Sequence, residues 1–109
     1  MKNKLTLLAL SLAAVQTFAA ADEITLTINN HTFEPKELKV PAGKKMKILV
    51  VNQDPTPAEF ESKPLNREKV IPGKSTGVIN VGPLKPGRYD FVEEYHENAT
   101  GAQGSIVVH

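Results

Sequence analysis

The chain has no cysteine and only two methionines among its 109 residues. Without cysteine there is no disulfide to staple a small domain and no thiolate to hold a soft metal centre. Neither sign of charge dominates, with 13 basic against 12 acidic residues, so there is no electrostatic footprint for nucleic acid or an anionic membrane. The apolar runs fall short of a transmembrane helix. Past the first twenty residues no amphipathic helical period survives, and there is no internal repeat and no phosphate-cradling glycine loop. Ser75 and Ser105 fall in turn or strand settings without His or Asp partners, so the chain is not expected to carry nucleophilic catalysis.

The amino-terminal segment has the layout of an export signal. Lys2 and Lys4 form a basic start, Leu5 to Val15 an apolar stretch, and Ala19-Ala20-Ala21 a small-residue cleavage site. A cut after Ala21 is preferred, with one after Ala19 as the alternative. Residues 1–21 are thus expected to be a signal peptide and 22–109 one small domain, exported to a bacterial periplasm and not inserted in the membrane after cleavage. That cut removes two lysines and no acid, leaving 11 basic against 12 acidic residues, a net charge near −1.

The remaining residues read as strands. Glu23–Asn30 alternates Ile24, Leu26 and Ile28 against Thr25, Thr27 and Asn29, the pattern of a half-buried strand. Glu37–Val40 is a short strand entered by the turn Phe33-Glu34-Pro35. Lys44–Asn52 alternates Met46, Ile48 and Val50 against Lys45 and Lys47, with Leu49 and Val51 making its second face apolar as in a central strand. Further strands are expected at Ala58–Glu61, Thr76–Val81, Arg88–Glu93 and Gly104–His109. A connector runs through Val70, and Pro72-Gly73 and Pro86-Gly87 mark turns. Regular turn spacing and the absence of helix predict an all-β Greek-key sandwich.

Three segments carry a resemblance that spans nearly all of this domain. FEPKELKVPAG (Phe33–Gly43), VVNQDPTPAEF (Val50–Phe60) and GRYDFVEEYH…GSIVV (Gly87–Val108) are similar to the entry strand, the first-histidine segment and the ligand loop of the cupredoxin superfamily. The resemblance implies a cupredoxin-like sandwich with a metal site at one end. The soft ligands are missing. Glu93 stands at the Cys position, Gly101 or Ala102 at the Met position, and Ala58 or Glu59 at the first His position, while His96 occupies the place of the second His. A blue-copper centre requires the thiolate, so rapid electron transfer of that kind is excluded here.

The residues left at those positions are Glu59, Glu61, Glu93 and His96, with Glu94 and Glu97 as outlying candidates. Glu59 and Glu61 lie two apart on a strand and share a face, while Ala58 and Phe60 point the other way. Carboxylates with one imidazole form a hard donor set, suited to iron, manganese, zinc or Cu(II). The expected metal is an iron or copper ion bound by Glu59, Glu61, Glu93 and His96. AEFES, REKVIPG and GPLKPGRYDF followed by E-x-x-H resemble the cupredoxin-like domains of bacterial periplasmic iron-uptake systems, the EfeO type or its stand-alone subunits. That resemblance implies a partner, an inner-membrane iron permease, and accessory help to Fe(II) oxidation as the one catalytic option. A Cu(II) carrier unrelated to iron and a metal-free interaction module are the alternatives. His31, after Asn29-Asn30, reads as an exposed turn residue with a second metal site as its alternative. Met46 reads as core, and His109 as a chain end without a role.

Overall fold

The computed structural model describes residues 22–109, and the expected signal segment 1–21 lies outside the described residues. Nine strands follow in order: β1 (Asp22–Asn29), β2 (Thr32–Glu34), β3 (Glu37–Val40), β4 (Met46–Asn52), β5 (Ala58–Ser62), β6 (Arg67–Ile71), β7 (Ser75–Val81), β8 (Gly87–Glu93) and β9 (Gln103–Val108). They form a four-stranded sheet, β2-β1-β4-β7, and a five-stranded sheet, β3-β9-β8-β5-β6. Both sheets are mixed, because β1 runs parallel to β4 and β3 parallel to β9. The only helical piece among the described residues is a single 3-10 turn, Glu94–His96.

The expected sandwich is the fold that forms. Leu26, Ile28, Ile48, Val50 and Ile79 from one sheet face Leu38, Phe60, Phe91 and Ile106 from the other. Alternation along β4 buries Met46, Ile48, Val50 and Asn52 in turn, as a pleated strand requires. Phe91 joins Phe33 edge-on at 4.9 Å and stacks with Phe60 at 5.0 Å. Burying each such side chain stabilises the fold by about 1.5–3 kcal/mol. This aromatic group lies at the end of the sandwich where β5 and β8 run into their loops.

Two strands are not anticipated by the sequence pattern. β2 has only three residues and sits where a turn is expected. β6 occupies the expected connector; its first four residues are exposed and only Ile71 is buried. It is an edge strand whose charged side chains carry no apolar alternation, which protects the edge but erases the periodic signal.

Candidate metal centre

Buried Asn52, at the end of β4, builds the site's frame. Its Nδ2 donates to the carbonyls of Thr56, Ile71 and Pro72 at 2.9, 3.1 and 3.2 Å, and its Oδ1 accepts the Asp54 N–H at 3.0 Å. One amide thus ties the β4–β5 loop to the end of β6 and sets Asp54. The Asp54 carboxylate then accepts the N–H groups of Asn30 and His31 at 2.6 and 2.9 Å. Those two residues are the β1–β2 turn, and both adopt positive φ, 54° and 58°. A two-residue hairpin loop favours that geometry because its twist matches the flanking strands. Burial alone would raise the Asp54 carboxyl. The N–H donors of His31 and Asn30, with the neighbouring His31 and His96 rings, outweigh it and hold the carboxyl below its ordinary value.

The second half of the site starts at Glu93, the last residue of β8, which is fully buried. Its Oε1 accepts the N–H of Glu59 at 2.8 Å and that of Tyr95 at 3.0 Å. Its Oε2 meets Nδ1 of His96. A buried carboxylate needs such donors, since an unpaired one would cost several kcal/mol. The bond from the Tyr95 N–H also caps the 3-10 turn that presents His96. Glu93 N–H also donates to Ala102 O at 2.8 Å, and Ala99 N–H to His96 O at 2.8 Å, so the β8–β9 loop is closed across its neck and held inside.

The two halves meet ring on ring. The imidazoles of His31 and His96 stack with centroids 3.7 Å apart and planes 15° from parallel. Nδ1 of His31 lies 3.4 Å from Asp54 Oδ2. Ligand atoms of His31, Glu93 and His96 all fall within 4.8 Å of one another. The histidine side chains are 34 % and 31 % exposed, so solvent reaches both. They line a surface depression of about 400 Å³ with Tyr95 and Glu97.

The expected four-residue set is not one cluster. Phe60 and Glu93 are register partners, and paired residues project on the same side of a sheet. Glu93 therefore points inward with Phe60, whereas Glu59 and Glu61 point outward. The two loops do meet, through the Glu59 N–H, but the side chains of Glu59 and Glu93 leave the sheet on opposite faces. Glu59 gathers instead with Glu68 and Glu94, their carboxylate oxygens within 4.8 Å of one another. Burial raises the Glu59 carboxyl to about 7, helped by hydrogen bonding and repulsion from Glu94 and Glu68. Glu61 joins neither group. It lies over a separate groove of about 690 Å³ with Lys63, Asp90 and Val92. His31, expected to be an exposed turn residue with a second metal site as its alternative, is half-exposed and stacks on His96. The signal available for this was its place in a two-residue hairpin loop beside the N-x-D segment Asn52–Asp54.

Of the two residues expected at the methionine position, Gly101 is closed to a side chain by backbone geometry. Gly101 has φ +91°, and a Cβ there would stand 2.7 Å from Lys36 Nζ and 2.8 Å from Thr32 Cγ2. Only glycine suits that conformation, so a side-chain ligand cannot project from this place.

Comparison with known proteins bears on the frame more than on the site. An uncharacterized protein of Rickettsia prowazekii (strain Madrid E) is 40 % identical over 87 residues, 79 % of this chain and 67 % of that protein. The Cu(I)-bound metal-binding domain of a Streptococcus pneumoniae Cu(I)-exporting P-type ATPase superposes with a TM-score of 0.69 at 18 % identity, over 80 % of this chain and 84 % of that one. Auracyanin from Roseiflexus castenholzii superposes with a TM-score of 0.68 at 17 % identity, over 84 % of this chain and 99 % of that one. At such identities the likeness is one of fold. Residues 4–108 match the cupredoxin-like domain family, and with the sandwich and its ligand-loop layout in place, the chain belongs to that family.

Proposed function

We propose that this protein binds a transition-metal ion, iron or copper, at the loop end of its sandwich, and that it serves bacterial iron uptake in the periplasm beside an inner-membrane permease. The observation that carries metal binding is the convergence of His31, Glu93 and His96 at the end where cupredoxin-like domains keep their ligand loop. The chain holds no thiolate, and a site of imidazoles beside carboxylates suits a harder ion than Cu(I). Copper binding by solved proteins of the same fold, among them the Cu(I)-bound ATPase domain, supports a metal role in general. The iron-uptake role draws its support from the AEFES, REKVIPG and E-x-x-H segments. The carboxylates of Glu59, Glu68 and Glu94 form a hard-oxygen group adjoining the same loop, and iron is the metal of this pair that such oxygens suit.

The test has two parts. Calorimetric titration with Cu(II), Fe(II), Fe(III), Mn(II) and Zn(II) should give saturable binding that His96→Gln abolishes or weakens at least tenfold. Deleting the gene should lower cellular iron under iron limitation and leave copper content unchanged. A copper-only phenotype would favour the copper-carrier reading, and absence of metal binding would leave a protein-interaction module.

A further inference from the structure

Both imidazoles of the site have a carboxylate at Nδ1: Glu93 Oε2 for His96 and Asp54 Oδ2 for His31. Nδ1 of His31 lies 3.4 Å from its carboxylate, and a carboxylate facing Nδ1 favours the tautomer with the proton there, which leaves the lone pair on Nε2. Among the described residues no hydrogen bond engages either Nε2, and both rings line the same depression. The carboxylates themselves are spent elsewhere. Glu93 Oε1 holds two backbone N–H groups, and Asp54 holds the two N–H groups of the β1–β2 turn. Each is thereby locked behind its histidine, the arrangement in which an outer carboxylate sets the tautomer and raises the basicity of a ligating imidazole.

We infer that His31 and His96 form a bis-imidazole site that takes a borderline divalent cation through their two Nε2 atoms, with Glu93 and Asp54 as positioning residues and not ligands. This rests on the metal-binding reading above and deepens it by naming the ligand atoms and the class of ion. The two carboxylates behind the rings favour a cation in the depression that the rings share. Imidazole donors rank Cu(II) above Ni(II) and Fe(II). The lone pairs lie in the ring planes, so binding one ion turns the rings away from their 15° stack.

The test uses Cu(II) alone, in a non-coordinating buffer, on the purified protein in a His109→Ala background, which removes the third imidazole of the chain. Electron paramagnetic resonance counts the bound nitrogens, and calorimetry gives the affinity. The expected result is one Cu(II) with two imidazole nitrogens. His31→Asn, tolerant of positive φ, and His96→Gln should each leave one nitrogen and bind at least tenfold more weakly. His31→Gly repeats the first test if the Asn variant folds poorly. In Glu93→Gln the amide oxygen must take the Oε1 place to accept two N–H groups. Its NH₂ then faces Nδ1 and forces the proton onto Nε2. Affinity should fall about 10–100-fold, yet the saturated spectrum should match that of the unsubstituted protein.

Two nitrogens and undiminished affinity in the His31 variants would overturn the bis-imidazole site while leaving metal binding, read by His96→Gln, intact. A changed spectrum at saturation in Glu93→Gln would make Glu93 a ligand and overturn its positioning role. No saturable Cu(II) binding before substitution would overturn this inference together with the reading it rests on.

Discussion

The carboxylate of Glu93 accepts the backbone N–H of Glu59 at 2.8 Å, so the residue standing at the thiolate position fastens β8 to the start of β5. The bond is part-buried, and the same oxygen satisfies a second backbone N–H, that of Tyr95. The position keeps a structural duty in the absence of sulfur.

That duty predicts a stability loss on Glu93→Ala. The substitution strands the Glu59 and Tyr95 N–H groups and removes the cap of the 3-10 turn. Leaving a part-buried donor unpaired costs about 1–2 kcal/mol, so a loss of about 2–4 kcal/mol is expected for the two. For a domain of this size that lowers Tm by roughly 10–25 °C. A thermal melt followed by far-UV circular dichroism measures it, and an unchanged Tm would refute the role.

Asn52→Ala should be costly in a different way. It removes a buried amide that donates toward three carbonyls and accepts the Asp54 N–H. About 2–3 kcal/mol of stability should go. Because Asp54 sets the β1–β2 turn, the His31 ring should also lose its fixed place on His96. Imidazole proton shifts in NMR spectra would report this, and Asn52→Ala spectra with both rings unmoved would disprove the link.

Glu59 predicts a pH dependence. In the folded chain its carboxyl is raised to about 7 from an unperturbed value of 4.5. Between those values the native state binds more protons than the unfolded state, so stability falls as pH rises from about 4.5 to about 7 and levels off on either side. Glu59→Gln retains the neutral form and should flatten that slope, raising Tm most above pH 7. Equal slopes for the two proteins in urea titrations across this range would count against the raised carboxyl.

Gly101→Ala should destabilise the ligand loop although it adds one methyl group. The positive φ and the close approach of Thr32 and Lys36 make any Cβ strained there, at about 1–3 kcal/mol. Gly101→Met should be worse and should not create a thioether ligand. Denaturant unfolding checks the first statement; a copper-thioether spectrum in the Met variant would contradict the second.

The sandwich was legible because its central strands announce themselves. Met46, Ile48 and Val50 alternate over a length that only a buried strand explains, and Tyr89 and Phe91 do the same before Glu93. β2 and β6 were not legible: three residues are too few to show a period, and an edge strand with four exposed positions has none. At the site, Glu93 and His96 are three residues apart, so their meeting depends on one local turn. Glu59 and Glu61 were drawn into the same site because their loop adjoins that of Glu93. Which face each carboxylate takes depends on register, and pairing Phe60 with Glu93 sends Glu59 and Glu61 to the other side.

The sequence by itself determined the strand faces, the absence of a thiolate centre and the local Glu93–His96 pair, since these follow from side-chain chemistry and from spacings within a few residues. Only the tertiary structure decided that His31 lies on His96, that Asp54 stands behind one ring as Glu93 stands behind the other, and that Glu59 turns toward Glu68 and Glu94. Those contacts join residues from separate strands and turns. They are set by sheet register and by the buried amide of Asn52, and no periodicity along the chain encodes either.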